Sequence, residues 1–224
     1  MPASRSAALA FMLAFVLPAA GPVASAETIA PLDHKVISAR VAGRALRIDG
    51  MRNNATGAVS PAPPFQLVVP TDRDGTWGAR LAKSPKNTLA RVIFTMPDGA
   101  FVENIGFFSA TLPFSGTEAR LERFATLLNF NVVPILLKQF PDGQKSGIRK
   151  TRVGPYEAVE IFGGYTHPDY GPMQWRLVGI PHPDRRDSIY TLSQIALRSM
   201  PLPSVDDFGH SLSGMTLESM RYIK

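Results

Sequence analysis

Apolar and polar residues alternate along much of this chain with a period of two, as they do in strands whose side chains point to opposite faces. The strongest stretch of this kind lies between residues 154 and 199. Residues 156–165, 173–180 and 188–197 are each rich in β-branched and aromatic side chains, and only short loops separate them. Short loops join strands that run antiparallel, because a parallel pair needs a long crossover. The pattern therefore predicts an antiparallel meander at the centre of the protein.

Upstream, residues 88–96 and 101–110 flank Pro97-Asp98-Gly99. Turn chemistry between two apolar runs predicts a hairpin. Within it Val92 and Ile93, and likewise Phe107 and Phe108, point to opposite faces. A sheet that is apolar on both sides must be covered on both sides, which calls for helices. Ser115 and Glu118 have the spacing of a capping box. Leu121, Ala125, Leu128, Val132 and Ile135 follow at intervals of four and three, one face of a helix. Pro134 interrupts them. An interior proline costs about 3 kcal/mol, so the pattern predicts two helices broken near Asn131. A last helix is expected beyond the Ser204–Asp207 cap, with Val205, Phe208 and Leu212 facing inward.

The remaining runs are shorter. Residues 35–42 and 44–49 predict a small hairpin around Gly43. Residues 51–64 hold turn formers and prolines without apolar periodicity and read as a loop. Residues 65–69 are a compact apolar strand ended by Pro70, and the loop after it places Trp77 beside the fold.

Composition changes this picture first at the amino end. Arg5 precedes an apolar run over residues 7–17, then Pro18 and the small triplet Ala24-Ser25-Ala26. Charge, apolar core and Ala-x-Ala in that order predict a secretory signal peptide cleaved after Ala26. Roughly 20 apolar residues are needed to span a bilayer, and this run is much shorter. The expected organisation is therefore a signal peptide at 1–26, a hairpin and loop at 27–64, and one domain at 65–224. The expected location is the periplasm, with no stable membrane span after processing.

Of the 224 residues, 24 are Lys or Arg and 18 Asp or Glu, a net charge of +6. The charges are interspersed, which is not the footprint of a nucleic-acid binder. Cysteine is absent, which excludes disulfides, a thiol nucleophile and every thiolate metal site. The densest basic stretch is Lys145, Arg149, Lys150 and Arg152. Lysine and arginine there read either as the charged dressing of an edge strand or as a binding patch. The candidate surface or binding residues are Lys150, Arg152, Arg185, Arg186 and Trp77. No cofactor or metal is expected, and the partner is an envelope protein or a small ligand.

Three constellations invite chemistry. Residues 209–214 nearly spell Gly-x-Ser-x-Gly around Ser211, but no histidine follows in the chain to complete a triad. Asp72-Arg73-Asp74-Gly75 has the start of a calcium loop without its twelfth-position carboxylate, and reads as a turn. His-Pro-Asp occurs twice, at 167–169 and 182–184. Histidine and aspartate are zinc ligands. However, a strand about 33 Å long separates the two loops, so they read as two uses of one turn device. Catalytic residues are not assigned.

FQLVVP at 65–70 followed by Trp77, RVGPYEAVE at 152–160, DSIYTL at 187–192 and a helix ending near Ser219 together resemble the PsbP-like proteins. The resemblance implies an α/β (α+β) sandwich, an antiparallel sheet covered by helices on both faces. It also implies binding roles that are mostly non-catalytic. The expected function is that of an exported, non-enzymatic binding or accessory protein of the cell envelope. The alternatives are an envelope hydrolase using histidine and carboxylates, and a carrier for an apolar or anionic small ligand.

Overall fold

The computed structural model describes residues 42–49, 51–52, 59–60, 62–82, 88–113 and 116–223. The signal-peptide reading of residues 1–26, the first arm of the hairpin around Gly43 and Ser115 of the capping box lie outside them. Seven antiparallel strands form the main sheet: β5 (Gly78–Leu81), β6 (Ala90–Thr95), β7 (Phe101–Thr111), β8 (Gln144–Val153), β9 (Tyr156–His167), β10 (Gly171–Ile180) and β11 (Asp187–Ala196). Their order across the sheet is β5-β6-β7-β11-β10-β9-β8. The hairpin side and the meander side meet where β11 pairs with β7, Thr191 opposite Phe107.

Local chemistry sets the turns. Gly99 has φ +88°, and the Asp98 carboxylate accepts the Ala100 amide at 2.8 Å. Gly154, at φ +53°, lets two residues join Val153 to Tyr156 across the β8–β9 hairpin, a conformation that costs other residues energy. As the basic run suggested, β8 is an edge strand.

A helical unit covers one face. It consists of α1 (Thr117–Leu127), a π-helical turn over Leu128–Val132 and α2 (Val133–Leu137). The expected break near Asn131 is absent. Pro134 sits in the first turn of α2, and the wider π turn just before it absorbs the residue that cannot donate. α1 begins after Gly116, without a side-chain cap. Phe124, Leu128, Val133 and Leu136 bury themselves against Trp175, Leu177, Ile161 and Leu192 of the sheet. α1 approaches closely because Gly179 is beneath it: a Cβ there would lie 2.7 Å from the Phe124 ring.

The opposite face is covered mainly by a second, smaller sheet. Here β4 (Phe65–Thr71) is flanked by β1 (Ala42–Ile48) and β12 (Arg221–Tyr222), beside a 3-10 turn (Val205–His210) and the short α3 (Leu212–Glu218). Two-residue strands β2 (Met51–Arg52) and β3 (Val59–Ser60) pair with each other. Phe65, Leu67, Phe208, Leu212 and Leu217 pack there against Val92, Phe107, Val178 and Ile189. The fold is α+β and predominantly antiparallel. Two expectations are corrected in this layer. Gly43 is not a turn but lies inside β1, opposite Pro70, and Pro70 does not end β4, which runs on to Thr71. No helix among the described residues is long and apolar enough to cross a membrane.

Candidate functional site

The smaller sheet and α3 do not reach across the whole of their face. Beyond them, over the ends of β8, β9 and β10, a cleft of about 550 Å³ opens. Its floor is sheet: Phe162, Gly164 and Thr166 of β9 and Pro172 and Gln174 of β10. Its walls are Leu197, Val205 and Phe208 on one side and Asp142, Gln144 and Ser146 on the other.

A charge network centred on the buried Glu160 runs behind those walls. Glu160 is 1% exposed and lies directly across the sheet from Arg149 and Val178. One of its oxygens accepts from Arg149 Nε, and the other accepts from Arg176 Nε at 2.6 Å. A buried carboxylate left single would cost several kcal/mol, whereas two guanidinium partners satisfy it. Arg149 also donates to Asp206 at 2.6 Å, tying the edge strand to the 3-10 turn. Its bond to Glu160, seconded by Asp206, raises the Arg149 pKa. The Arg149 guanidinium lies over the Phe162 ring, 5.4 Å from its centroid, and that of Arg176 lies 5.9 Å from the centroid of Phe208. Phe162 and Phe208 are therefore each backed by an arginine that Glu160 holds.

The rim is secured by hydrogen bonds. Asp142 accepts the Thr166 amide at 3.0 Å, and bonds from the Thr166 side chain and amide hold its carboxyl below the usual value. Ser204 and Asp207 form a reciprocal capping box at the start of the 3-10 turn. Gln174 is different. Its Oε1 is buried and has no hydrogen-bond partner among the described residues.

The sequence-chosen residues are not in this cleft. Lys150 is exposed and donates to Glu118 of α1. Arg152 is exposed on the same strand and donates to the Pro155 carbonyl at 3.3 Å. Arg185 and Arg186 are exposed in the loop after β10, at the end of that strand remote from Pro172 and Gln174. Trp77, read from sequence as a surface residue, is corrected: it is 6% exposed and meets Phe94 edge-on at 5.9 Å. The Asp72 turn carries it inward. Asp72 accepts from the amides of Asp74, Thr76 and Trp77 and from the Thr76 hydroxyl. Burial raises its pKa, but these bonds together outweigh burial and leave the carboxyl below its ordinary value.

The tempting motifs resolve into structure as well. Ser211 is fully buried and is the N-cap of α3, accepting the Gly214 amide at 3.0 Å. The two His-Pro-Asp loops lie at the two ends of β10 and share one device. The acceptor in both is the histidine ring. His167 Nδ1 accepts the Asp169 amide at 3.1 Å, and His182 Nδ1 accepts that of Asp184 at 3.0 Å. In each turn the imidazole does what aspartate or asparagine does in an Asx turn. Burial lowers both histidine pKa values; at His182 Arg185 adds to the effect while Asp184 opposes it.

Sequence reasoning missed both Glu103, which is fully buried in β7, and Glu160. The available signal was a charged residue in the middle of an apolar strand.

No family model matches this chain, and no curated protein matches it. Among solved structures it is similar to that of LpqN, involved in cell envelope biogenesis of Mycobacterium tuberculosis, with 13% identity and a TM-score of 0.45 over 79% of this chain and 90% of that one. It is also similar to the solution structure of cyanobacterial PsbP (CyanoP) from Synechocystis sp. PCC 6803, with 13% identity and a TM-score of 0.44 over 80% and 92%. A third is a crystal structure from Bacteroides thetaiotaomicron VPI-5482, with 9% identity and a TM-score of 0.41 over 71% of this chain, which spans 45% of that one.

Proposed function

We propose that this protein is an exported, non-enzymatic binding or accessory protein of the cell envelope, and that it receives its ligand or partner in the cleft over β8–β10. The cleft's lining carries the reading. It joins aromatic and aliphatic walls to polar groups that are uncharged apart from Asp142, with no histidine among the described lining residues. A hydrolytic site needs a nucleophile or base converging with a partner in a cleft. Here the candidate groups are otherwise engaged: Ser211 caps a helix, Glu160 holds two arginines, and both imidazoles close their own turns. The export half of the proposal rests on the Ala24-Ser25-Ala26 triplet after its apolar run.

Two measurements test it. The tagged full chain, expressed in an intact bacterium and fractionated, is expected in the envelope with an amino terminus at Glu27. An uncleaved chain in the cytoplasm would overturn the export reading. A photo-crosslinking residue at Thr166, on the rim, is expected to give adducts in cells that the same residue at Arg186 does not give. Equal labelling at the two ends of the sheet would remove the cleft from consideration.

A further inference from the structure

We propose that the cleft is a site for an uncharged saccharide ring. The inference rests on the binding reading above and names the ligand class. Three features of the lining converge on it. The first is Gln174, whose buried Oε1 points to no donor among the described residues while the residue lines the cleft floor. Left as it is, that buried acceptor is costly; the Gln174 side chain is only half-buried, and a turn toward the cleft would bring its amide to a ligand hydroxyl.

The second is the balance of the polar rim. Gln144, Ser146 and Thr166 present uncharged donors and acceptors, and Asp142 is the only charged residue among the described lining residues. Its carboxyl, held low by Thr166, is ionised at neutral pH and accepts hydroxyl protons. An anionic ligand would meet that charge with little to offset it, because the nearby cations are committed. Arg149 is bound to Glu160 and Asp206, and Arg176 to Glu160.

The third is the apolar side. Phe162 and Phe208 stand at the cleft with Val205 and Leu197. A pyranose has a face of C–H groups and an edge of hydroxyls, so it needs an apolar wall beside polar groups. Pockets of roughly 300–1,000 Å³ suit small ligands, and about 550 Å³ admits one or two sugar rings.

The test is an NMR titration of the purified ¹⁵N-labelled protein with glucose, N-acetylglucosamine and trehalose. Inorganic phosphate and tetramethylammonium are run in parallel. At least one sugar is expected to shift the Gln174 side-chain amide and the Gly163 and Gly164 backbone amides saturably, with a Kd of about 1 mM or tighter. Gln174→Leu is expected to weaken that binding about tenfold, Phe162→Leu to weaken it too, and Arg186→Ala to leave it unchanged. Each variant is scored only with the dispersed spectrum of the folded protein, and Ser146→Ala on the exposed rim replaces any that lacks it. The proposal is overturned if no sugar shifts these resonances, or if Gln174→Leu binds sugar as well as the parent does. Shifts with phosphate or tetramethylammonium alone would end the saccharide assignment and keep the cleft as a binding site. Turnover of a hydrolase substrate would instead end the non-enzymatic reading, whatever the sugars do.

Discussion

The Glu103 carboxylate on β7 accepts the backbone amide of Leu212 at 2.7 Å, 109 residues further along the chain. Its other oxygen accepts the Ser213 amide at 2.9 Å. These are the first two amides of α3, groups that a helix cannot satisfy from within. Burial pushes the Glu103 carboxyl up, against the bonds from Ser213, Leu212 and Ser211. Glu103→Leu would strand both amides in the core and is expected to cost about 2–4 kcal/mol. Glu103→Gln keeps an acceptor and should cost less. Urea midpoints of the two variants, compared at equal m-value, check the order.

Trp175→Ala should be among the most destabilising single changes. The side chain is fully buried beneath the helical unit, and truncations of this size cost roughly 3–5 kcal/mol. Gly163→Ala is expected to destabilise for the same neighbourhood, since its Cβ would lie 2.6 Å from the Trp175 ring. Thermal or urea unfolding measures both. A parent-like midpoint for Trp175→Ala would place the indole outside the core.

Ser211→Ala is expected to lower stability by about 1 kcal/mol, the ordinary cost of losing an N-cap. Any activity of the protein should be untouched. Loss of activity in a folded Ser211→Ala protein would contradict the capping role.

Acidification should weaken the His182 turn. Its Nδ1 must be unprotonated to accept the Asp184 amide, and its folded pKa lies below the ordinary value of 6.5. The unfolded chain therefore binds the proton first, so stability falls as pH drops below about 6.5 and continues to fall until the lower folded pKa is passed. His182→Asn preserves an acceptor without the titration. It is expected to show a smaller loss between pH 7 and pH 5, values that bracket the ordinary histidine range, when unfolding is followed at each pH.

What could be read in the sequence follows how far apart the determining residues are. The Pro97–Gly99 hairpin, the meander and the edge position of β8 each depend on neighbours within a few residues of one another. Their chemistry was on the page. Gly43 was read as a turn because glycine between short runs usually is one; its partner, Pro70, belongs to another run. Pro134 was read as a break between two helices, because the π turn that accommodates it in a first helical turn leaves no mark on apolar spacing. Trp77 moves inward because of the hydrogen-bonding capacity of Asp72, which composition does not reveal. The cleft was illegible for the same reason in stronger form. Its walls come from residues 142 to 208, and no single window contains more than one side of it.

β4 has a consequence for the order in which the protein is built. One of its flanks is closed by β12, and the Val68 amide donates to the Ser219 hydroxyl at 2.7 Å across 151 residues of chain. Tyr222 completes the junction, donating to the Ile180 carbonyl at 2.5 Å and accepting the Ile189 amide at 3.1 Å. A ribosome therefore makes β4 long before it makes the strand that seals it. Through that interval one apolar strand edge stays open, the kind of surface that generic chaperones hold and that self-associates when they do not. Slow or interrupted translation over the last forty or so residues should therefore show up as aggregation of nascent chains rather than as a less stable finished protein.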